Sequence, residues 1–211
     1  MQAKGGWRSW ILLACLWVSM GAALAGQGPT AMVSHTIDSI IDILRTQKAV
    51  PREQVWAQIG QIIDAHFDFR SMSQSVLATN WQAASKAEKR QFVEFFSQYL
   101  EDTYRTKIES YTNQRVEYGK ETIKGSRATV ETFIVTDANR IPVNYKLKNN
   151  DGEWFAYDVV IEGASLVNNY RNTFDAIVKS QGMEGLLKDL EARISRYRAA
   201  HPQNGGAPAA R

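Results

Sequence analysis

Cysteine is almost absent from this chain of 211 residues, since its one cysteine, Cys15, lies in an apolar segment near the N-terminus. The rest of the chain can form no internal disulfide and offers no thiol nucleophile or thiolate metal ligand. Histidine is nearly as scarce, and the spacing of the three histidines fits no metal-binding motif. A disulfide scaffold is therefore excluded, and no metal site is expected.

A strong charge of either sign is also lacking beyond the first residues. Lys4 and Arg8 are two of the 25 basic residues and no acidic residue lies nearby, so 23 basic side chains remain against 22 acidic ones. A nucleic-acid binder normally carries a basic face or stripe. With a remaining net charge of about +1, no nucleic-acid partner is expected.

The signatures of the common enzyme classes are missing as well. The chain contains neither a phosphate-binding Gly-x-x-x-x-Gly-Lys-Ser/Thr loop nor a dinucleotide fingerprint. Ser165 stands in Glu-Gly-Ala-Ser-Leu rather than in a Gly-x-Ser-x-Gly elbow, so we interpret it as a helix cap. Asp158 and Glu162 are interpreted as hydrogen-bonding groups where a strand meets a helix, rather than as a catalytic carboxylate pair. We expect no enzyme activity.

Residues 1–25 are typical of an export signal, with a basic start, an apolar run and the small residues of Ala23-Leu24-Ala25. The apolar run of about 15 residues is shorter than the ~20 residues that cross a bilayer. A membrane anchor and a lipoprotein modified at Cys15 remain alternatives. The favoured interpretation is a cleaved signal peptide and a location in a bacterial periplasm.

Helices are predicted on both sides of a central region, because apolar residues recur there at spacings of three and four. Four helices precede this region. Asp68 is placed to cap the third of them, and a capping box at Ser85 and Glu88 opens the long fourth. Two helices follow Gly163, and Gly182 separates them. We expect one domain over residues 26–198 and a disordered tail of Ala, Gly and Pro over residues 199–211.

The central region predicts strands, because its apolar residues recur at a spacing of two. The predicted strands are Gln114–Thr122, Arg127–Thr136, Ile141–Lys148 and Glu153–Ile161. The short links between them favour an antiparallel meander. On the last two strands the residues assigned to the covered face are Ile141, Val143, Tyr145, Leu147, Phe155, Tyr157, Val159 and Ile161. The expected fold class is therefore α+β, with a four-stranded sheet packed against helices.

Aromatic residues are concentrated in the long helix, the sheet and the helix that follows it. One interpretation is the filled core of an exported adaptor that binds protein partners and no lipid. The other is a sheet and helices that leave an apolar cavity for a ligand such as a lipid tail. Periodicity does not separate the two, because a helix presents the same apolar stripe to a core and to a cavity.

Four segments carry a resemblance to a known family. They are residues 67–81, 92–104, 141–145 and 154–174. The last is the most specific, since it contains Tyr-Asp-Val-x-Ile-Glu-Gly-Ala-Ser-Leu-Val followed by Tyr-Arg-x-x-Phe. Over roughly residues 32–195 the chain resembles the MlaC family of periplasmic phospholipid-binding proteins, also called toluene-tolerance auxiliary proteins of an ABC transporter. Ala78 departs from the family pattern, because many members have glycine there.

The resemblance implies a curved antiparallel sheet backed by helices, with an apolar pocket that takes the phospholipid tails while the head group stays in solvent. It implies a periplasmic carrier that maintains outer-membrane lipid asymmetry. The implied partners are an outer-membrane lipoprotein associated with a porin and an inner-membrane ABC transporter with a lipid-binding ring domain. The phospholipid would be cargo, and no cofactor is implied. We expect a monomer.

The resemblance also implies a set of residues that contact the lipid. The candidates for the tails are Tyr145, Tyr157, Val159, Ile161, Ala164, Leu166, Val167, Tyr170 and Phe174, with Phe96, Leu100 and Tyr104 as second choices. Plain core packing remains the alternative for each of them. Arg171 is a candidate for the phosphate head group, and an ion pair with Glu162 or Asp175 is its alternative. Arg70 is a further candidate of the same kind.

Overall fold

A computed structural model describes residues 27–110 and 114–201. The predicted signal peptide and nearly all of the predicted tail lie outside these residues. In chain order the elements are α1 (Pro29–Thr46), α2 (Arg52–His66), α3 (Phe69–Leu77), α4 (Thr79–Ala83), α5 (Lys86–Ser110), β1 (Arg115–Lys124), β2 (Arg127–Val135), β3 (Arg140–Asn150), β4 (Glu153–Ile161), β5 (Ala164–Ser165) and α6 (Leu166–Ala200). The α+β fold class is confirmed, while α4 was not predicted.

The helix starts follow the predicted capping. The Asp68 carboxylate accepts a hydrogen bond from the Ser71 amide at 2.7 Å. The Ser85 amide donates to the Glu88 carboxylate at 2.7 Å and the Glu88 amide donates to Ser85 Oγ at 3.2 Å, which is a capping box. Burial alone would raise the pKa of Asp68, but hydrogen bonds from Lys148 and Ser71 outweigh it and lower that pKa. The ion pair between Asp68 and Lys148 of β3 also ties the start of α3 to the sheet.

Gly182 and Ala78 are two of the positions whose backbone conformation favours glycine. Gly182 bends α6 with φ of 71°, which confirms the predicted break between two helical segments. Ala78, between α3 and α4, has φ of 48° and ψ of −117°. An alanine is strained there because its Cβ crowds the backbone, and glycine relieves the strain. The glycine of many family members therefore suits this link better than the alanine of this chain.

The sheet is antiparallel throughout, with the strands in the order β1-β2-β3-β4-β5. It has five strands rather than the four predicted, because the two residues of β5 turn back onto the end of β4. At the same edge of the sheet, Phe67 forms a parallel bridge with Ala156. The link between α2 and α3 therefore lies against β4 next to β5.

A β-bulge in β4 contradicts one prediction about which side chains share a face of the sheet. Leu147 pairs with Ala156 and Tyr145 pairs with Val159, so β4 uses one more residue than β3 over this stretch. An extra residue breaks the strict alternation of faces. The prediction that Phe155 and Tyr157 share a face with Val159 and Ile161 is therefore wrong. Phe155 pairs with Lys148 on the other face, and the Tyr157 ring centroid lies 4.5 Å from the Arg127 guanidinium.

The main packed core lies between α3, α5 and α6. Phe92, Phe96, Tyr170 and Phe174 form its centre, with ring centroids 5.5 to 5.9 Å apart in stacked and edge-to-face pairs. Phe92 and Phe96 are fully buried. Such aromatic contacts add roughly 0.5–1.5 kcal/mol per pair beyond the area that they bury. This aromatic core gives the helical side of the molecule a solid interior.

Candidate functional site

A second interior region is hollow. A cavity of about 460 Å³ lies between the sheet and the helices α1, α2 and α5. This size falls within the ~300–1,000 Å³ that is usual for small-ligand sites. Its apolar lining residues are Met32, Val33, Ile37, Ile40, Ile41, Leu44, Trp56, Ile63, Phe67, Phe69, Met72, Leu100, Ile108, Val116, Ile134, Ile141, Val143, Ala156, Val159, Ile161 and Leu166.

The sheet wall of the cavity is built from cross-strand neighbours. Ile134 of β2 pairs with Val116 of β1 and with Ile141 of β3, so the three side chains form one row. Cross-strand neighbours point to the same face of a sheet. A second row is formed by Thr132, Val143 and Ile161, since Val143 pairs with both of the others. The register therefore presents branched apolar side chains to the cavity on four strands.

The buried hydroxyls of the lining are bound to the backbone. Thr36 Oγ1 donates to the Met32 carbonyl at 2.8 Å, and Thr132 Oγ1 donates to the Val143 carbonyl at 2.6 Å. Ser97 Oγ does the same with the Glu94 carbonyl at 2.9 Å. A buried hydroxyl with its hydrogen bond made needs no polar partner from a ligand. The interior of the cavity is consequently apolar in its chemistry as well as in its composition.

Charged residues of the lining are either exposed or paired. Asp64, Lys107 and Glu162 are exposed to solvent, and Glu101 is half-buried and pairs with Arg105 at 3.7 Å. Burial raises the pKa of the lining residue Tyr104, whose phenol therefore stays neutral. Burying an unpaired charge in an apolar interior is costly. The cavity therefore suits a ligand with a long apolar part and a polar end that remains near water.

Six of the thirteen candidate lipid contacts line this cavity. They are Leu100, Tyr104, Tyr145, Val159, Ile161 and Leu166. The structure places the other seven elsewhere. These are Phe96, Tyr157, Ala164, Val167, Tyr170, Arg171 and Phe174. Whether any of the thirteen touches a lipid stays a prediction, and the cavity supports it most directly for the first six.

The seven residues outside the lining have other neighbours. Phe96, Val167, Tyr170 and Phe174 belong to the packed core, and Tyr157 sits at the bulge. Ala164 is an exposed residue of β5. Arg171 Nε donates to the Ser75 carbonyl at 2.9 Å and so ties α6 to α3.

The two candidate arginines contact neighbouring helices. Asp175, one of the two alternative partners of Arg171, pairs with Lys179 at 2.6 Å. The Arg70 guanidinium lies 5.6 Å from the centroid of the Trp81 ring. Both arginines therefore pack against neighbouring helical elements.

Helix α1 supplies the part of the site that the sequence did not identify. Seven of its residues line the cavity, and they occupy successive turns of the helix. They are Met32, Val33, Thr36, Ile37, Ile40, Ile41 and Leu44. The apolar stripe of α1 was visible in the sequence, but an ordinary core helix has the same pattern. The sequence signal that could have identified α1 is its four isoleucines between Ile37 and Ile43. In the structure all four are only partly buried, and Ile37, Ile40 and Ile41 line the cavity.

Ser165 and Asp158, the polar residues weighed as catalytic candidates, make structural contacts. Ser165 Oγ accepts a hydrogen bond from the Asn168 amide at 3.1 Å, which confirms it as the cap of α6. Its hydroxyl donates to Asp158 at 2.7 Å, and Asp158 also pairs with Lys146 at 2.9 Å. Asp158 further accepts from the Val167 amide at 3.1 Å. Asp158 thus joins β3, β4 and α6, as its hydrogen-bonding interpretation predicted.

An α+β scaffold with a solid core beside an open apolar cavity defines a binding protein for an elongated apolar ligand. None of the helices within residues 27–110 and 114–201 has the length and apolar character needed to cross a membrane. The family model described as MlaC protein matches residues 34–192. The chain belongs to the MlaC family.

Named relatives agree with this membership. The chain is 20% identical over 182 residues to the intermembrane phospholipid transport system binding protein MlaC of Haemophilus influenzae, covering 82% of this chain and 85% of the relative. It is 23% identical over 165 residues to the toluene tolerance protein ttg2D of Pseudomonas putida, covering 75% and 77% of the two chains.

A solved structure shares the fold. The phospholipid-binding protein of Ralstonia solanacearum, determined in complex with a phospholipid, superposes with a TM-score of 0.74 at 21% identity. The match covers 79% of this chain and 97% of the other.

Proposed function

We propose that this protein is a periplasmic phospholipid carrier, whose cavity holds the lipid tails. The observation that carries the proposal is the apolar interior, in which the buried hydroxyls are bound to the backbone and the charged side chains are exposed or paired. The names of the relatives, a binding protein of a phospholipid transport system and a phospholipid-binding protein, support the same cargo.

The energetics favour such a cargo. Each methylene removed from water contributes about 0.8 kcal/mol, so a tail of about sixteen carbons gains on the order of 10 kcal/mol on entering an apolar site. That gain is large enough to hold a phospholipid out of water without a covalent step. Neither a cofactor nor an enzyme reaction belongs to the proposal, in which the phospholipid is the only bound molecule.

The carrier would act between two membranes. On this proposal residues 1–25 direct export and the monomer exchanges phospholipid with an outer-membrane lipoprotein–porin complex and an inner-membrane ABC transporter that bears a lipid-binding ring domain. The result would be the maintenance of outer-membrane lipid asymmetry. The name of the Haemophilus influenzae relative, which places that protein in an intermembrane transport system, supports this part of the proposal.

The test is the lipid content of the purified protein. The chain is produced with its own N-terminus in a bacterial host, isolated from the periplasmic fraction and examined by native mass spectrometry. We expect a mass increment equal to a phospholipid, and thin-layer chromatography of the extract identifies it. Folded protein that repeatedly yields no lipid would contradict the proposal and favour a protein-binding adaptor.

A further inference from the structure

A second pocket adjoins the mouth of the cavity. It has a volume of about 550 Å³ and is lined by Asp38, Ile41, Asp42, Arg45, Gln114, Arg115 and Val116. Ile41, Gln114 and Val116 line the apolar cavity too, so the two spaces are adjacent. A ligand whose tails fill the cavity therefore has its polar end within reach of this second space, which we call the charged pocket.

The charged pocket carries both signs of charge in equal number. Asp38 and Asp42 are one turn apart on α1, so their carboxylates lie on the same side of the helix. Arg45 follows on the same helix, and Arg115 approaches from the start of β1. All four side chains are exposed, and Arg115 also pairs with Glu117 at 2.5 Å. The pocket is thus nearly neutral overall, with both carboxylates on α1 and one guanidinium on each of α1 and β1.

We infer that the charged pocket receives the zwitterionic head group of a phospholipid, with its ammonium beside Asp38 and Asp42 and its phosphate beside Arg45 and Arg115. This inference rests on the proposed function, because the tails must lie in the cavity for the head group to reach the pocket. An ethanolamine head group carries both charges. A glycerol head group carries the phosphate alone and leaves the two carboxylates without a cation.

One neighbouring group supports the assignment of the two carboxylates. The Tyr118 hydroxyl is buried beside the Asp38 carboxylate. Burial and the nearby Asp38 carboxylate raise the pKa of Tyr118 to about 12, so the phenol remains neutral. Tyr118 therefore does not add to the negative charge near Asp38, and its ring packs against the buried cluster that contains Met32 and Val130.

The experiment compares two lipids that differ only in the head group. The delipidated mature chain is incubated with vesicles of phosphatidylethanolamine and phosphatidylglycerol in equal amounts with identical tails, and the bound lipids are quantified by native mass spectrometry. We expect wild-type protein to retain about fivefold more phosphatidylethanolamine, the scale of one exposed ion pair. Added salt should reduce this preference, because exposed charges are screened.

Variants assign the preference to residues. Asp38→Asn with Asp42→Asn should bring the ratio of the two lipids to about one while total bound lipid is unchanged. Arg45→Gln with Arg115→Gln should weaken the retention of both lipids alike, because both carry a phosphate. Lys124→Gln is the matched control, since it removes an exposed positive charge of β1 that lines neither the cavity nor the charged pocket. We expect it to leave the ratio as in wild type.

The outcomes distinguish a failure of the head-group assignment from a failure of the proposed function. Equal uptake of both lipids by wild-type protein, or an unchanged preference in the Asp38→Asn/Asp42→Asn variant, would overturn the head-group assignment alone. Wild-type protein that takes up neither lipid would overturn the proposed function and the assignment together. Glycerophosphoethanolamine, which has the head group without tails, should displace no lipid. Displacement would assign the charged pocket to a soluble zwitterion instead.

Discussion

Replacing Ile134 with tryptophan is expected to fill the cavity without disturbing the fold. Ile134 is half-buried and stands in the middle of the row of cavity-lining residues formed with Val116 and Ile141. Tryptophan adds roughly six heavy atoms, which would occupy the space of a similar number of tail methylenes. At about 0.8 kcal/mol per methylene, the loss of lipid binding is about 5 kcal/mol, or more than a thousandfold.

The matched control lies on the same strand and the same face. Val130 is fully buried in a packed cluster with Met32 and Leu147, and it does not line the cavity. Val130→Trp should therefore overpack the core and cost about 1–3 kcal/mol of the free energy of unfolding. Ile134→Trp should change this free energy by less than about 1 kcal/mol, because the new ring enters open space.

The assay measures two quantities for each variant, bound lipid by native mass spectrometry and stability by thermal unfolding. The expected pattern is crossed, since Ile134→Trp loses lipid and keeps its stability, while Val130→Trp loses stability and keeps its lipid. Full lipid content in a stable Ile134→Trp variant would refute the reasoning, because the tails would then not occupy the space in front of this wall.

Four further substitutions test other parts of the structure. Leu166→Glu should reduce lipid retention because its carboxylate faces the tails, whereas Asn168→Glu on the exposed surface of the same helix should not; equal retention would remove Leu166 from the site. Phe174→Ala should lower the free energy of unfolding by about 3–5 kcal/mol, with lipid per folded molecule unchanged, and lipid loss from folded protein would return Phe174 to the binding site. Burial and the neighbouring Glu101 raise the pKa of Asp102 from 3.8 to about 6, so the folded protein loses stability as the pH rises through this interval. Asp102→Asn should accordingly stabilise the protein at pH 7.5 by about 1 kcal/mol after solvent screening, and denaturant titrations at pH 7.5 and 3.5 should show that the gain is absent at the lower pH. Ala78→Gly should raise the free energy of unfolding by about 1 kcal/mol and the melting temperature by about 2–4 °C, because it relieves backbone strain; a lower melting temperature would contradict the strain.

Much of the fold could be predicted from the sequence because its signals are local. The caps at Asp68, Ser85 and Ser165 act over three residues, and the four long strands follow from their alternation. The elements that were missed, α4 and β5, are five and two residues long. Segments so short span too few positions to show a period.

The candidate site was only partly predictable, for two physical reasons. Candidate aromatic residues such as Phe96 and Phe174 pack on one another. A helix face that packs in a core and one that lines a cavity have the same apolar sequence pattern. The bulge in β4 shifts Tyr157 away from the face of Val159, and it is visible only in the pairing of the strands. The contribution of α1 depended on how it crosses the sheet, which helix periodicity does not determine.

The separation of a solid interior from a hollow one has a consequence for the proposed carrier, which would hold no lipid for part of its cycle. The rings stacked between α3, α5 and α6 are held together by one another. Departure of a guest from the neighbouring cavity therefore leaves the ring contacts between α3, α5 and α6 in place. If the protein is a carrier as proposed, this part of the helical core would stay assembled without cargo, and the size and shape of the cavity could change while the ring stack stays the same.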